Sequence, residues 1–326
     1  MEKYENGSPS SVMTGSSGIF GLLKDYRSGR ADRRPSDTSA IPVMAYQPVD
    51  AEHLSEASRL TWFGHSAFLL ELEGKRLLFD PMLGNRPSPV SWVGSKRYNR
   101  SLPAQPENLP EIDAVILSHD HYDHLDYSTI LKLKNKTRRF LVPMGVRKIL
   151  LKWGVSPEKV TEHAWWDKCE VDGFSLVCTP AQHFSGRGLI GRNRTLWCSW
   201  VINGEKTKIF FSGDSGYGPH FQEIGAKYGP FDLTVMECGQ YNERWSDIHM
   251  MPEQTVQAHL DLGGKLMIPV HWSAFTLSLH SWTEPVERVT KAAANRNVTV
   301  STPKIGEPVD VNSGSFPVST WWREGR

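Results

Sequence analysis

The most constraining stretch of this chain is Ser118-His119-Asp120-His121-Tyr122-Asp123-His124, which follows directly on the apolar run Ala114-Val115-Ile116-Leu117. An apolar run without a polar break reads as a strand covered on both faces, so the chain is built around a buried sheet. Side chains in a tight turn after such a strand can converge on one point. His119 and His121, one residue apart, can offer two imidazoles to one ion, while Asp123 and His124 can turn to a second. Three histidines and two aspartates within six positions fit surface decoration poorly, because burying such groups without a compensating ion is costly. Imidazole nitrogen with carboxylate oxygen, and no thiolate, is the donor set of a catalytic zinc site rather than a structural one.

The surrounding pattern supports a mixed sheet architecture. Residues 59–63, 66–72 and 75–79 read as short strands, with Glu73-Gly74 as a hairpin turn between the last two. Helical segments are expected at 127–134, 146–153, 221–228, 252–262 and 285–295. Further strands are expected at 140–143, 174–178, 197–202, 208–211, 233–236 and 266–270. Strands and helices alternate, with hairpins in places, which places the chain in the α/β (α+β) class. No short-period repeat and no internal linker is evident.

Residues 1–58 differ in composition: Gly, Ser, Asp and Arg dominate, which predicts a flexible or loosely docked leader ahead of one domain at 59–326. An apolar island at 19–23 is followed by Arg27, Arg30, Arg33 and Arg34. It reads either as a wedge for an anionic membrane surface or as a short helix packed on the domain itself. A formal net charge of +1 gives no electrostatic case for a nucleic-acid partner. The four cysteines, Cys169, Cys178, Cys198 and Cys238, form no C-x-x-C pair, so neither a disulfide framework nor a thiolate metal site is indicated. With no membrane-spanning run and no signal-type leader, the expected location is cytoplasmic, with peripheral membrane association and a homodimer as open options.

Three further residues repeat the local context of a titratable group just past an apolar run: His183, Asp214 and His271. Four others have readings that stay open between function and structure. His249 is either a site residue or a helix-start histidine; His65 is either a donor to a ligand or a packed core histidine. Asp120 lies between two ligand candidates and can orient a ligand or a nucleophile. Asp80 either buttresses a ligand histidine or is a turn carboxylate before Pro81. The Ser66, Ser118 and Ser212 hydroxyls do not suggest a serine triad, because the obvious His and Asp partners belong to the metal reading.

The pattern H-x-H-x-D-H with later single His, Asp and His positions resembles the metallo-β-lactamase superfamily. Thr61-Trp62-Phe63-Gly64-His65-Ser66, Thr179-Pro180-Ala181-Gln182-His183, Gly213-Asp214-Ser215-Gly216-Tyr217, Pro269-Val270-His271-Trp272 and Arg244-Trp245 before His249-Met250-Met251-Pro252-Glu253 narrow it. Together they are similar to the N-acyl-phosphatidylethanolamine-hydrolysing phospholipase D branch, over about residues 60 to 305. The resemblance implies a four-layer αβ/βα sandwich with the site along one edge. It also implies two zinc ions, Mn²⁺ or Fe²⁺ being the other divalent candidates. His119, His121 and His183 would hold one; Asp123, His124 and His271 would hold the other; Asp214 would bridge them. Asp214, Asp123 and His249 are then the candidate catalytic residues, and the implied reaction hydrolyses a phospholipid diester to N-acylethanolamine and phosphatidic acid. Two alternatives stand beside it: another ester, such as a sugar-phosphate lactone or small phosphodiester, and a non-catalytic metal-stabilised interaction protein.

Overall fold

Strand β3 (Lys75–Phe79) shows why this sequence layers as it does. Leu77 and Phe79 enter one hydrophobic cluster and Leu78 enters another, so successive side chains cover both faces of the sheet. The computed structural model describes residues 3–7, 32–90, 92–171, 173–188 and 191–324. The apolar island at 19–23, with Arg27 and Arg30, lies outside the described residues.

Two seven-stranded sheets stack face to face. The first contains β1 (Ser58–Trp62), β2 (Phe68–Leu72), β3, β4 (Ile112–Ile116), β5 (Thr137–Pro143) and β6 (Val160–His163), with β14 (Pro308–Asp310) returning beside β1. The second runs β7 (Lys168–Val171), β8 (Phe174–Thr179), β9 (Ser199–Asn203), β10 (Lys208–Phe211), β11 (Phe231–Glu237), β12 (Gly264–Val270) and β13 (Thr299–Val300). In both, antiparallel hairpins lead into parallel strands, β3 through β6 and β10 through β13. Helices α1 (Tyr127–Leu133) and α2 (Arg147–Lys152) cover the outer face of the first sheet, and α3 (His220–Tyr228), α4 (Pro252–Asp261) and α5 (Glu284–Asn295) contribute to the cluster of the second. This is the four-layer sandwich that the resemblance implied.

Glu73 and Gly74 form the expected hairpin turn, both with positive φ. The strand expected at 66–72 starts later, at Phe68, because the chain first makes a tight turn in which Ala67 N donates to Gly64 O and Phe63 N to Ala67 O. The strand expected from 197 likewise begins at Ser199. Strands β6, β7, β13 and β14 were not anticipated.

Parts of the leader meet the domain. Val43 bridges Ile305, Tyr46 N donates to Pro103 O, and Trp282 N donates to Asp32 O. Among the described residues, no helix is long and apolar enough to cross a membrane.

Candidate metal centre

The sheets deliver their chemistry to one edge because β1, β3, β4, β8, β10, β11 and β12 all run toward it. The residues just past or at those ends are His65, Asp80, His119 to His124, His183, Asp214, Glu237 and His271. Gly213 permits one of these approaches: a Cβ there would lie 2.7 Å from Cys198 O and 2.8 Å from Ser118 Cβ. His65, Asp80 and His271 adopt φ of 55°, 37° and 67°, a left-handed conformation rare for such residues and concentrated here at the cluster.

His119 Nε2 lies 2.9 Å from His121 Nδ1, and His183 Nε2 lies 3.2 Å from the same atom. With zinc–nitrogen distances of about 2.0–2.1 Å, ligands on a tetrahedron are separated by about 3.3 Å, so these three nitrogens have the spacing of one ion's donors. Asp214 Oδ2 sits 3.0 Å from His124 Nε2 and 3.3 Å from His271 Nε2, and 3.7 and 3.8 Å from His119 and His183 Nε2. Asp123 Oδ2 is 3.3 Å from His271 Nε2 and 3.4 Å from His124 Nε2. One carboxylate oxygen therefore stands between two groups of imidazoles.

The outer nitrogens of the rings decide which inner nitrogens carry a lone pair. His124 Nδ1 donates to Asp80 Oδ2 at 2.7 Å, and His183 Nδ1 to Ile248 O at 2.9 Å. His119 Nδ1 donates to Ser118 Oγ, whose own proton goes to Asp80. His271 Nδ1 donates to Glu237 Oε2 at 3.3 Å. With Nδ1 committed outward, Nε2 is the nitrogen that each of these four rings turns to the centre, where a cation would take its lone pair. His124 Nε2 and Asp214 Oδ1 are buried without a hydrogen-bond partner. Buried lone pairs left without a donor on two neighbouring residues of the cluster fit a cation at this place.

The electrostatics agree. Burial, reinforced by neighbouring histidines, pushes His119 and His183 well below the ordinary histidine range. Burial raises the carboxyls of Asp123 and Asp214, but the surrounding histidines, His124 foremost, outweigh it and hold both well below the carboxylate range. Burial also opposes the charging of His124 and His271, yet Asp214, Asp123 and their outer carboxylates raise His124 well above its ordinary value and His271 to about 10. The field at these rings favours positive charge, which a divalent cation supplies.

The structure brings together all seven ligand candidates. Asp80 contacts His124 directly and reaches His119 through Ser118. His65, whose pKa burial pushes down to about 3, donates from Nε2 to Asp123 Oδ2 at 2.9 Å. Asp120 turns to the loop after β8, where its Oδ1 accepts Gly186 N at 2.8 Å. His249 Nδ1 lies 2.9 Å from Glu237 Oε2, and its ring lines a cavity of about 280 Å³ together with His121, Asp123, His183, Asp214 and His271. Phe184, Trp245, Ile248 and Leu277 form the apolar part of that lining.

Glu237 escaped the sequence reading. It is fully buried, and its carboxylate accepts from His249, His271, Ser215 N and Met250 N. A signal was present: as His271 follows the run 266–270, Glu237 follows the mostly apolar Leu233-Thr234-Val235-Met236.

A β-lactamase superfamily domain matches residues 75–272. An uncharacterized protein of Mycobacterium tuberculosis is 47% identical over 297 residues, covering 89% of this chain and 78% of that one. N-acyl-phosphatidylethanolamine-hydrolyzing phospholipase D 1 of Caenorhabditis elegans is 32% identical over 291 residues, covering 84% of this chain and 81% of that one. Among solved structures, the metallo hydrolase Igni18 of Ignicoccus hospitalis superposes with a TM-score of 0.58 at 22% identity, over 77% of this chain and 97% of that one. A domain match over residues 75–272, a relative 32% identical and matched over more than four-fifths of both chains, and a sandwich edge lined with histidine and aspartate agree: the chain belongs to the metallo-β-lactamase superfamily of metal-dependent hydrolases.

Proposed function

We propose that this chain is a two-zinc phosphodiesterase of the phospholipase D type, hydrolysing N-acyl-phosphatidylethanolamine-like lipids to N-acylethanolamine and phosphatidic acid. The observation that carries the reading is Asp214 Oδ2, set 3.0 to 3.8 Å from four histidine Nε2 atoms, two on each side. His119, His121 and His183 would hold one ion, Asp123, His124 and His271 the other, with Asp214 shared. When bound, zinc supplies Lewis acidity, withdrawing charge from a phosphodiester oxygen and lowering the pKa of water to about 7.

The protein's own groups then divide the work. Asp214 keeps one oxygen, Oδ1, free of protein donors, and that oxygen can accept a proton from the attacking water. The departing alkoxide needs a proton in return. His249 has its Nδ1 committed to Glu237, so Nε2 is the nitrogen left for the cavity. Asp123 is held in register by His65. A cavity of about 280 Å³ takes the phosphodiester and its nearest atoms, with Phe184, Trp245, Ile248 and Leu277 offering apolar surface to the adjoining chain.

A lipid substrate implies work at a membrane surface. Trp92, 77% exposed, and Val93 stand on the loop that Ser95 Oγ ties to Thr276 N, beside Leu277 on the cavity rim. The relative from Caenorhabditis elegans adds the substrate class by its name. The test is a substrate panel on zinc-replete protein: an N-acylated phosphatidylethanolamine, bis-p-nitrophenyl phosphate, a lactone and a β-lactam. Release of phosphatidic acid from the first is expected. Turnover of the lactone or the β-lactam with an inert phospholipid would reject the assignment.

A further inference from the structure

The ligand His183 lies in the long connection between β8 and β9, where no strand partner is available to its main chain. Its backbone is nonetheless paired on both sides by one side chain from far away in sequence. His183 N donates to Asn6 Oδ1 at 3.0 Å, and Asn6 Nδ2 donates to His183 O at 2.9 Å. Trp197 Nε1 also donates to Asn6 Oδ1, at 2.9 Å. Two N–H donors meeting the oxygen and one carbonyl meeting the nitrogen leave the amide a single orientation. One rung further, Tyr4 N donates to Asn193 O, and Asn193 N in turn donates to Ser185 O. The segment 3–7 thus lies along the His183 loop as a strap. The His183 ring is fixed separately, through Nδ1 to Ile248 O.

We propose that Asn6 is a positioning residue of the metal centre, its amide holding the main chain of His183 so that the ring nitrogen meets the other two donors of its ion. With the strap in place His183 is 1% exposed and Asn6 pairs both its N–H and its C=O; without that amide the two groups must find water or other partners, and the loop is free to shift. Movement of that loop displaces Nε2 from its 3.2 Å relation to His121 Nδ1. The strap therefore makes metal retention depend on the first residues of the described chain. The inference rests on the metal-centre reading and is independent of the substrate.

The test is zinc affinity, measured by competition with a chromophoric chelator on the full chain. Outer-shell partners of metal ligands typically contribute about 10- to 100-fold in metal affinity, and a loss of that size is expected for Asn6→Ala. Asn6→Asp retains the acceptor but sets a charged oxygen against His183 O in place of the donor, so it should lose affinity as well. A chain lacking residues 1–7 should resemble Asn6→Ala, and a synthetic peptide of residues 1–7 added in trans should restore part of its affinity. The melting midpoint of the metal-free protein separates the strap from general stability. A lowered midpoint with unchanged zinc affinity in Asn6→Ala overturns the proposal, as does parental affinity in the shortened chain. Should Asn6→Ala fail to fold, Asn6→Ser, too short to pair both the N–H and the C=O of His183, takes its place, and parental zinc affinity in that variant overturns the proposal.

Discussion

Glu237→Gln is the perturbation that most directly tests how this site is ordered. The carboxylate is fully buried and serves four donors: Oε1 takes Ser215 N at 3.2 Å and Met250 N at 2.9 Å, while Oε2 takes His249 Nδ1 at 2.9 Å and His271 Nδ1 at 3.3 Å. Glutamine keeps the volume and one acceptor. Its oxygen can continue to serve the two backbone amides, which turns its NH₂ group toward two ring N–H groups. Donor then faces donor at His249, and the ring must rotate or change tautomer. A hydrogen bond to a charged group contributes about 1.5–3 kcal/mol, which at 1.4 kcal/mol per decade corresponds to a loss of about 10- to 150-fold. The assay is kcat on zinc-replete protein, with metal content measured in parallel. A double-mutant cycle with His249→Gln assigns the route. If Glu237 acts through His249, the double variant is no slower than His249→Gln alone. Activity of Glu237→Gln within about twofold of the parent, against the decades expected, refutes the reasoning; full additivity moves the effect to His271.

Asp214→Ala removes the oxygen lying between the two histidine groups. Bound zinc should fall clearly below the parent and hydrolysis to the assay background, as read by mass spectrometry and turnover. His121→Ala removes the nitrogen that both His119 and His183 approach, and retention of most activity would contradict the three-histidine set. Away from the site, burial pushes His259, packed behind Thr234 Oγ1 at 2.7 Å, down to about 4. The unfolded chain, with an ordinary pKa near 6.5, binds more protons between those values, so this ring makes stability fall as pH drops through about 6.5 to 4, by about 2 kcal/mol between pH 7 and 5. In denaturant titrations, His259→Gln should lose that share of the slope; an unchanged slope would show that the ring does not titrate as placed.

How far the sequence could be read depended on where each strand sits in its sheet. Strands such as β4, β8 and β12 carry unbroken apolar runs, at 114–116, 176–178 and 266–270, because both faces are covered, and these were legible. The four missed strands, β6, β7, β13 and β14, are the four sheet edges. An edge strand has one unpaired side and tends to be short and polar. Lys168-Cys169-Glu170-Val171 and the two-residue β13 follow that tendency and leave no apolar signature. The ligand set was legible for a related reason: its members follow the ends of covered strands, His119 to His124 after β4, His183 after β8, Asp214 after β10 and His271 after β12, so a change from apolar to titratable marks them. Glu237 obeys the same rule and was lost among the apolar residues of its own strand, since a residue still inside a ladder looks like part of it. Asn6 obeys no such rule. An asparagine in a Ser- and Gly-rich leader is indistinguishable in sequence from a solvated one, and only tertiary placement brings its amide to the backbone of a residue 177 positions away. Local chemistry therefore announced the ligands and, past strand ends, the supports Asp80 and His65, whereas Glu237 inside a ladder and Asn6 on a distant strap hold the same layer from places where sequence pattern carries little directional information.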